Sequence, residues 1–169
     1  MAISMYSSLI PVLKQMLSSL HEILTKAEVH AAEKKIDPNA LLQARLFPDM
    51  FSLVRQVQLV TDFGKSIPAR LAGIEVPTYE DNEQSFADLK ARINKTLSFI
   101  ATFTPAQIDG SENREVVTQA GTPKEKRFLG QTYLLHYGLP NLFFHVTTAY
   151  AILRHNGVEI GKKDFIGTF

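Results

Sequence analysis

The sequence predicts an all-α fold: an antiparallel four-helix bundle with one small β-hairpin between its third and fourth helices. Three observations lead there. Four segments repeat apolar residues at alternating spacings of three and four, the signature of amphipathic helices. The connections between them collect Pro, Gly, Asp and Asn. A single interval, Thr104 to Gly138, loses the helical period and holds two short β-prone runs. With 169 residues and 45% of them apolar, one domain over 1–169 can enclose a core.

In the first helix Tyr6, Leu9, Leu13, Met16, Leu20, Ile23 and Ala27 form a seam that Ile10, Leu17 and Leu24 widen. Pro11 lies inside that pattern without the N–H the helical ladder requires, so a kink or a separate first turn is expected there. Asp37, Pro38 and Asn39 mark a short capped turn. A second helix from about Pro48 to Ala72 turns Met50, Leu53, Val57, Val60, Gly64, Ile67 and Leu71 inward, and Gly73 stops it. The segment VPTYEDNEQ is a surface connection. The third helix, from about Ser85 to Phe103, buries Phe86, Leu89, Ile93, Leu97 and Ile100.

Glu115 to Gln119 and Lys126 to Leu129 then flank AGTPKE as a hairpin too small to stand alone. The fourth helix shows two neighbouring stripes: Leu139, Phe143, Val146, Tyr150 and Leu153, and beside them Leu142, His145, Ala149 and Ile152. Asn156 and Gly157 end it. The tail VEIGKKDFIGTF is expected to pack back on the bundle as an irregular strap.

Composition removes whole classes of function. Eighteen basic and seventeen acidic residues leave a net charge of +1, which supplies no field to draw in nucleic acid, so no such partner is expected. The basic hairpin tip at Lys124, Lys126 and Arg127 is too small to change that. There is no cysteine, which excludes disulfides, thiolate zinc sites and cysteine nucleophiles. The opening MAISMYSSLIPVLK has no basic region ahead of its apolar residues, and polar residues interrupt every apolar run. Neither export nor a membrane partner is expected, and the location read from this is cytoplasmic. No Gly-rich phosphate loop, GxSxG elbow or paired-carboxylate motif is present.

The segments ARLFPDMFSLVRQVQLVTDFGKSIPARLAG (Ala44 to Gly73) and PNLFFHVTTAYAILRHNGVEIGKKDFIG (from Pro140), with the inward histidine followed by LR and a glycine stop, carry a resemblance. They resemble an uncharacterised domain family within the DinB/YfiT-like superfamily of metalloenzymes, and the likeness spans nearly the whole chain. The resemblance implies a DinB-like bundle and a homodimer. It also implies a zinc or nickel ion on three histidines, one on the second helix and two at i and i+4 on the last. In relatives that transfer groups onto small thiols, that ion forms the thiolate. Set against this pattern, His145 falls at the last ligand position, Asn141 stands four residues before it, and the second helix offers Gln56 or Gln58.

One imidazole with two amides is a poor match to the donor sets that hold zinc or nickel, so His145 is the single metal-ligand candidate and no cofactor is expected from the residues themselves. The candidate ligand-binding residues are His145, Gln56 and Asn141, with Arg45 at the bundle mouth, where a guanidinium could hold a carboxylate or phosphate. His145 is open to two readings: a ligand or acid–base group in a pocket, or a core histidine bonded to a carbonyl or to an amide such as Gln56. Three functions stay open. They are a bundle binding a small polar ligand, a metal-dependent hydrolase or transferase, and a dimerising structural protein with a closed cavity. Arg45 with Asp49 and Asp62 with Lys65 are spaced for ordinary surface or structural pairs. His21, His30, His136 and His155 are read as solvated, and Asn94-Lys95-Thr96 as a chance glycosylation match within a helix.

Overall fold

A computed structural model describes residues 3–169 and shows the expected four-helix bundle with its late two-stranded hairpin. Helix α1 (Met5–Lys34) opens on a reciprocal cap: the Ser7 N–H donates to Ser4 Oγ at 3.2 Å and the Ser4 N–H to Ser7 Oγ at 2.9 Å. It runs through Pro11 as one helix, so no separate first turn exists. A proline in a helix interior costs about 3 kcal/mol. Burial of Leu9, Ile10 and Leu13 on the opposite side outweighs that, at roughly 1.5–3 kcal/mol each.

Helix α2 (Pro38–Leu42) is the predicted turn, with the Asp37 carboxylate accepting the Asn39 N–H at 2.9 Å. Helix α3 (Leu53–Ala72) begins later than the Pro48 expected, behind Ser52 as its N-cap. The residues before it are held in a turn instead: the Leu53 N–H donates to the Ala44 carbonyl at 3.0 Å and the Met50 N–H to the Phe47 carbonyl at 3.0 Å. Gly73, at φ 70°, ends α3 as expected. Helix α4 (Phe86–Ile100) is capped by Ser85, whose Oγ accepts the Asp88 N–H at 3.1 Å.

A one-turn helix α5 (Pro105–Ile108), which the periodicity did not announce, precedes β1 (Glu115–Thr118) and β2 (Lys126–Leu129). The strands pair antiparallel with Glu115 opposite Leu129 and Thr118 opposite Lys126. Helical structure then resumes earlier than the sequence indicated. A short α6 (Gly130–Thr132) passes into a π-helical segment, Tyr133–Gly138, that joins α7 (Leu139–His155) without a break. Its buried side runs through Leu134, Gly138 and Leu142 at spacings of four, but Gly138 carries no apolar signal and the exposed Leu135 blurs the stripe, which is why the period fades in the sequence. The tail is not irregular throughout: α8 (Lys162–Ile166) lies on α1, with Gln15 donating to the Ile166 carbonyl at 2.9 Å and Lys26 pairing with Asp164 at 2.6 Å.

Helix α3 packs against α7 and α4, and α1 lies across α4, α3 and α7. Gly64 permits the close crossing at the centre, since a Cβ there would stand 3.1 Å from Thr96 and 3.4 Å from Leu17. No described helix is long and apolar enough to cross a membrane.

Candidate functional site

Helix α7 presents His145 to α3 because Leu142, Val146, Ala149 and Ile152 on the same side are buried, and the imidazole follows them in. Its partner is Gln56, in the first turns of α3 and 1% exposed. His145 Nδ1 lies 2.7 Å from Gln56 Oε1. The amide of Gln56 donates from its nitrogen to the Phe51 carbonyl at 3.4 Å, which points Oε1 at the histidine. Nδ1 is therefore the protonated nitrogen of the neutral ring, and the lone pair sits on Nε2.

Two aromatic rings fix the imidazole plane. Phe63 of α3 stacks on it at 5.8 Å, and Phe144 meets it edge-on at 5.2 Å. Burial, reinforced by the positive charge of Arg55, holds the imidazole below its ordinary value of 6.5. The site thus favours the neutral histidine, positioned as a hydrogen-bond acceptor at Nε2.

The other residues singled out from the sequence do not join this pair. Asn141 donates its amide back to the Tyr137 carbonyl at 2.7 Å, at the junction of the π segment with α7. Arg45 is exposed and donates to the Met50 carbonyl, bracing the turn ahead of α3, and it forms no ion pair with Asp49 among the described residues. Gln58 points elsewhere, donating to Glu83 at 2.8 Å, so Gln56 alone of the two glutamines meets His145.

A metal does not fit what remains. Among the described residues no group of three or more His, Cys, Asp or Glu side chains is arranged to hold an ion. At His145 the donor set would be one imidazole nitrogen beside the amide of Gln56, whose oxygen is already used on Nδ1. His136 and His155 are exposed, and the Asn94 triplet lies within α4 with Thr96 fully buried, which closes it as an acceptor.

Sequence reasoning missed a second polar cluster. Arg92, 4% exposed, donates to Thr61 at 2.6 Å, to the Glu80 carbonyl at 2.8 Å and to Glu83 at 2.9 Å, and reaches Asp62 and Asp81 at 3.0 Å each. Burial opposes its charge, but Glu83, Asp62 and Asp81 together push its pKa up. Lys65 forms the pair with Asp62 that its spacing suggested, as a buried structural one: its Nζ lies 2.6 Å from Asp62 and 4.1 Å above the Tyr79 ring. Burial pushes the Tyr79 phenol up, against its hydrogen bond with Thr96 and the charge of Arg92. The signal was available: Arg92 stands between Leu89, Ile93 and Thr96 on the inward stripe of α4, an ionic group at an apolar position.

A family model for a domain of unknown function, DUF1993, matches residues 5–166. Among solved structures, the crystal structure of a DinB family member protein from Shewanella denitrificans is 38% identical to the chain. It superimposes with a TM-score of 0.90, and the match covers 97% of this chain and 92% of that one. The comparison with curated proteins gives no match.

Proposed function

The chain belongs to the DUF1993 family, on a DinB-like helical fold, and from that membership we propose that it binds a small polar ligand at the His145–Gln56 pair between α3 and α7, with the superfamily's metal position degenerate. The observation that supports this reading is the state of His145: neutral, fixed by Gln56 at Nδ1, with no protein partner for Nε2 among the described residues. Such an atom accepts a hydrogen bond from a hydroxyl, amide or ammonium of a ligand. The absence of a second strong donor argues against the metal-dependent hydrolase or transferase, because an ion held by one imidazole and weak amides exchanges readily.

Zinc and nickel loading of tag-free protein, followed by metal analysis after gel filtration, tests the reading. Substoichiometric metal in both the parent and His145→Ala is expected. One equivalent retained by the parent and lost in His145→Ala would restore the metalloenzyme. A thermal-shift screen of polar small molecules should then return compounds that stabilise the parent but not His145→Ala.

Self-association has its own support. Leu46, Phe143 and Phe144 share a groove with Met50 and Pro140, and Phe47 and Phe51 beside it are 64% and 52% exposed. Clustered apolar surface of this kind marks an interface, and a homodimer would cover it; sedimentation of the purified chain checks it.

A further inference from the structure

Helix α7 ends on Asn156 and Gly157, the single Asn-Gly pair of the sequence. The end is a Schellman turn: the Gly157 N–H, at φ 86°, donates to the Arg154 carbonyl at 3.2 Å, and the Val158 N–H to the Leu153 carbonyl at 3.1 Å. Leu153 and Val158, whose side chains close such a turn, are both buried. Asn156 adds a tie of its own, its Nδ2 donating to the Ile152 carbonyl at 2.7 Å. Water still has access: Asn156 and Gly157 are exposed, and nothing lies within 4 Å of the place a Gly157 Cβ would take.

An asparagine followed by glycine is chemically labile, because no side chain shields the glycine nitrogen. Once deprotonated, that nitrogen attacks the asparagine Cγ; the N–Cγ bond forms, and the side-chain nitrogen takes up the proton and leaves as ammonia. Water then opens the cyclic imide at either carbonyl, giving aspartate or isoaspartate. Here the turn holds the reacting groups apart. The Gly157 N–H is used on Arg154 and the Asn156 amide on Ile152. With Asn156 at ψ 15° the Gly157 nitrogen points away from Asn156 Cβ, so closing the ring requires a rotation that breaks the turn. We propose that Asn156 is a spontaneous modification site gated by the end of α7: it deamidates only when this turn frays locally, and the product keeps the turn frayed. A carboxylate cannot donate to the Ile152 carbonyl, and it sets negative charge against the negative end of the helix. Isoaspartate also reroutes the main chain through Cβ, which moves the Gly157 and Val158 N–H groups out of register with their carbonyls. Only Val158 and Ile160 are buried between this turn and α8, in which no residue is, so the fraying loosens the strap that follows. The proposal goes beyond the His145 reading and shares no residue with it.

The test follows Asn156 by peptide mass spectrometry while the full chain is incubated at mildly alkaline pH, either folded or unfolded in guanidinium chloride. Conversion in the folded chain should be at least about tenfold slower, set by how seldom the turn opens. Two variants, each checked to be folded, separate local fraying from global unfolding. Val158→Ala weakens the turn and leaves the Asn-Gly pair intact, so it should speed conversion in the folded chain and not in the unfolded one. Arg92→Met destabilises the bundle through α4 and should leave the folded-chain rate unchanged. In Asn156→Asp, which carries one of the two products, amide exchange at Gly157 and Val158 should rise at least about twofold, the smaller worth of an unfavourable charge at a helix end. Three results would overturn the proposal: equal conversion in the folded and unfolded chains, folded-chain conversion that Arg92→Met speeds or Val158→Ala does not, or unchanged exchange at Gly157 and Val158 in Asn156→Asp.

Discussion

At His145 the choice of partner decides the chemistry. An amide oxygen at 2.7 Å fixes a tautomer without adding charge, whereas a carboxylate there would have favoured the imidazolium. Because the folded-state pKa is depressed, the unfolded chain binds the proton more readily. This contribution to stability is therefore present in full above the ordinary value of 6.5 and is lost as pH falls from there toward the folded-state pKa. Urea melts between about pH 5 and 7 should show stability declining with acid, and His145→Gln should flatten that slope; an identical slope in the variant would refute the assignment. The inward direction of His145 was legible because spacing alone sets the face of a helix. The positions of Asn141 and Arg45 were not legible. Their side chains found backbone carbonyls close by in sequence, at Tyr137 and Met50, and short-range bonds of that kind leave no periodic trace.

At the scale of elements, Arg92 ties α4 to α3 and to the connection between them, through Thr61 and Asp62 on one side and the Glu80 carbonyl, Asp81 and Glu83 on the other. Removing one member of a buried ionic network strands the others, typically at about 3–5 kcal/mol. Arg92→Met should destabilise toward the lower end of that range by equilibrium urea unfolding, since Asp62 and Asp81 stay 34% and 42% exposed. A loss below about 0.5 kcal/mol would place the network with ordinary surface pairs. The element boundaries show where local signals compete. Ser85 and Gly73 fix helix ends with their own chemistry and were readable. The start of α3 was not, because its apolar period continues back to Met50 while the backbone hydrogen bonds of the turn do not. The π segment hid a helical entrance differently: its buried Leu134 and Gly138 keep a spacing of four, but a glycine carries no apolar signal and the apolar Leu135 beside them is exposed.

For the molecule as a whole, the exposed phenylalanines beside the turn ahead of α3 and the N-terminal half of α7 are the least explained part of a monomer's surface. If a second copy covers them, Phe47→Asp with Phe143→Asp should convert a sedimenting dimer to a monomer without unfolding it, because both side chains are exposed at 64% and 39%. A monomeric parent would remove the homodimer. The sequence by itself determined the number and faces of the long helices, the hairpin, the bundle and the inward course of His145, because each follows from a period that the chain repeats locally. Only the tertiary structure decided that Gln56 rather than Gln58 meets His145 and that Lys65 and Arg92 are buried beside Tyr79. Those are meetings between residues far apart in the chain, set by how helices cross at points such as Gly64, and no local spacing encodes a crossing.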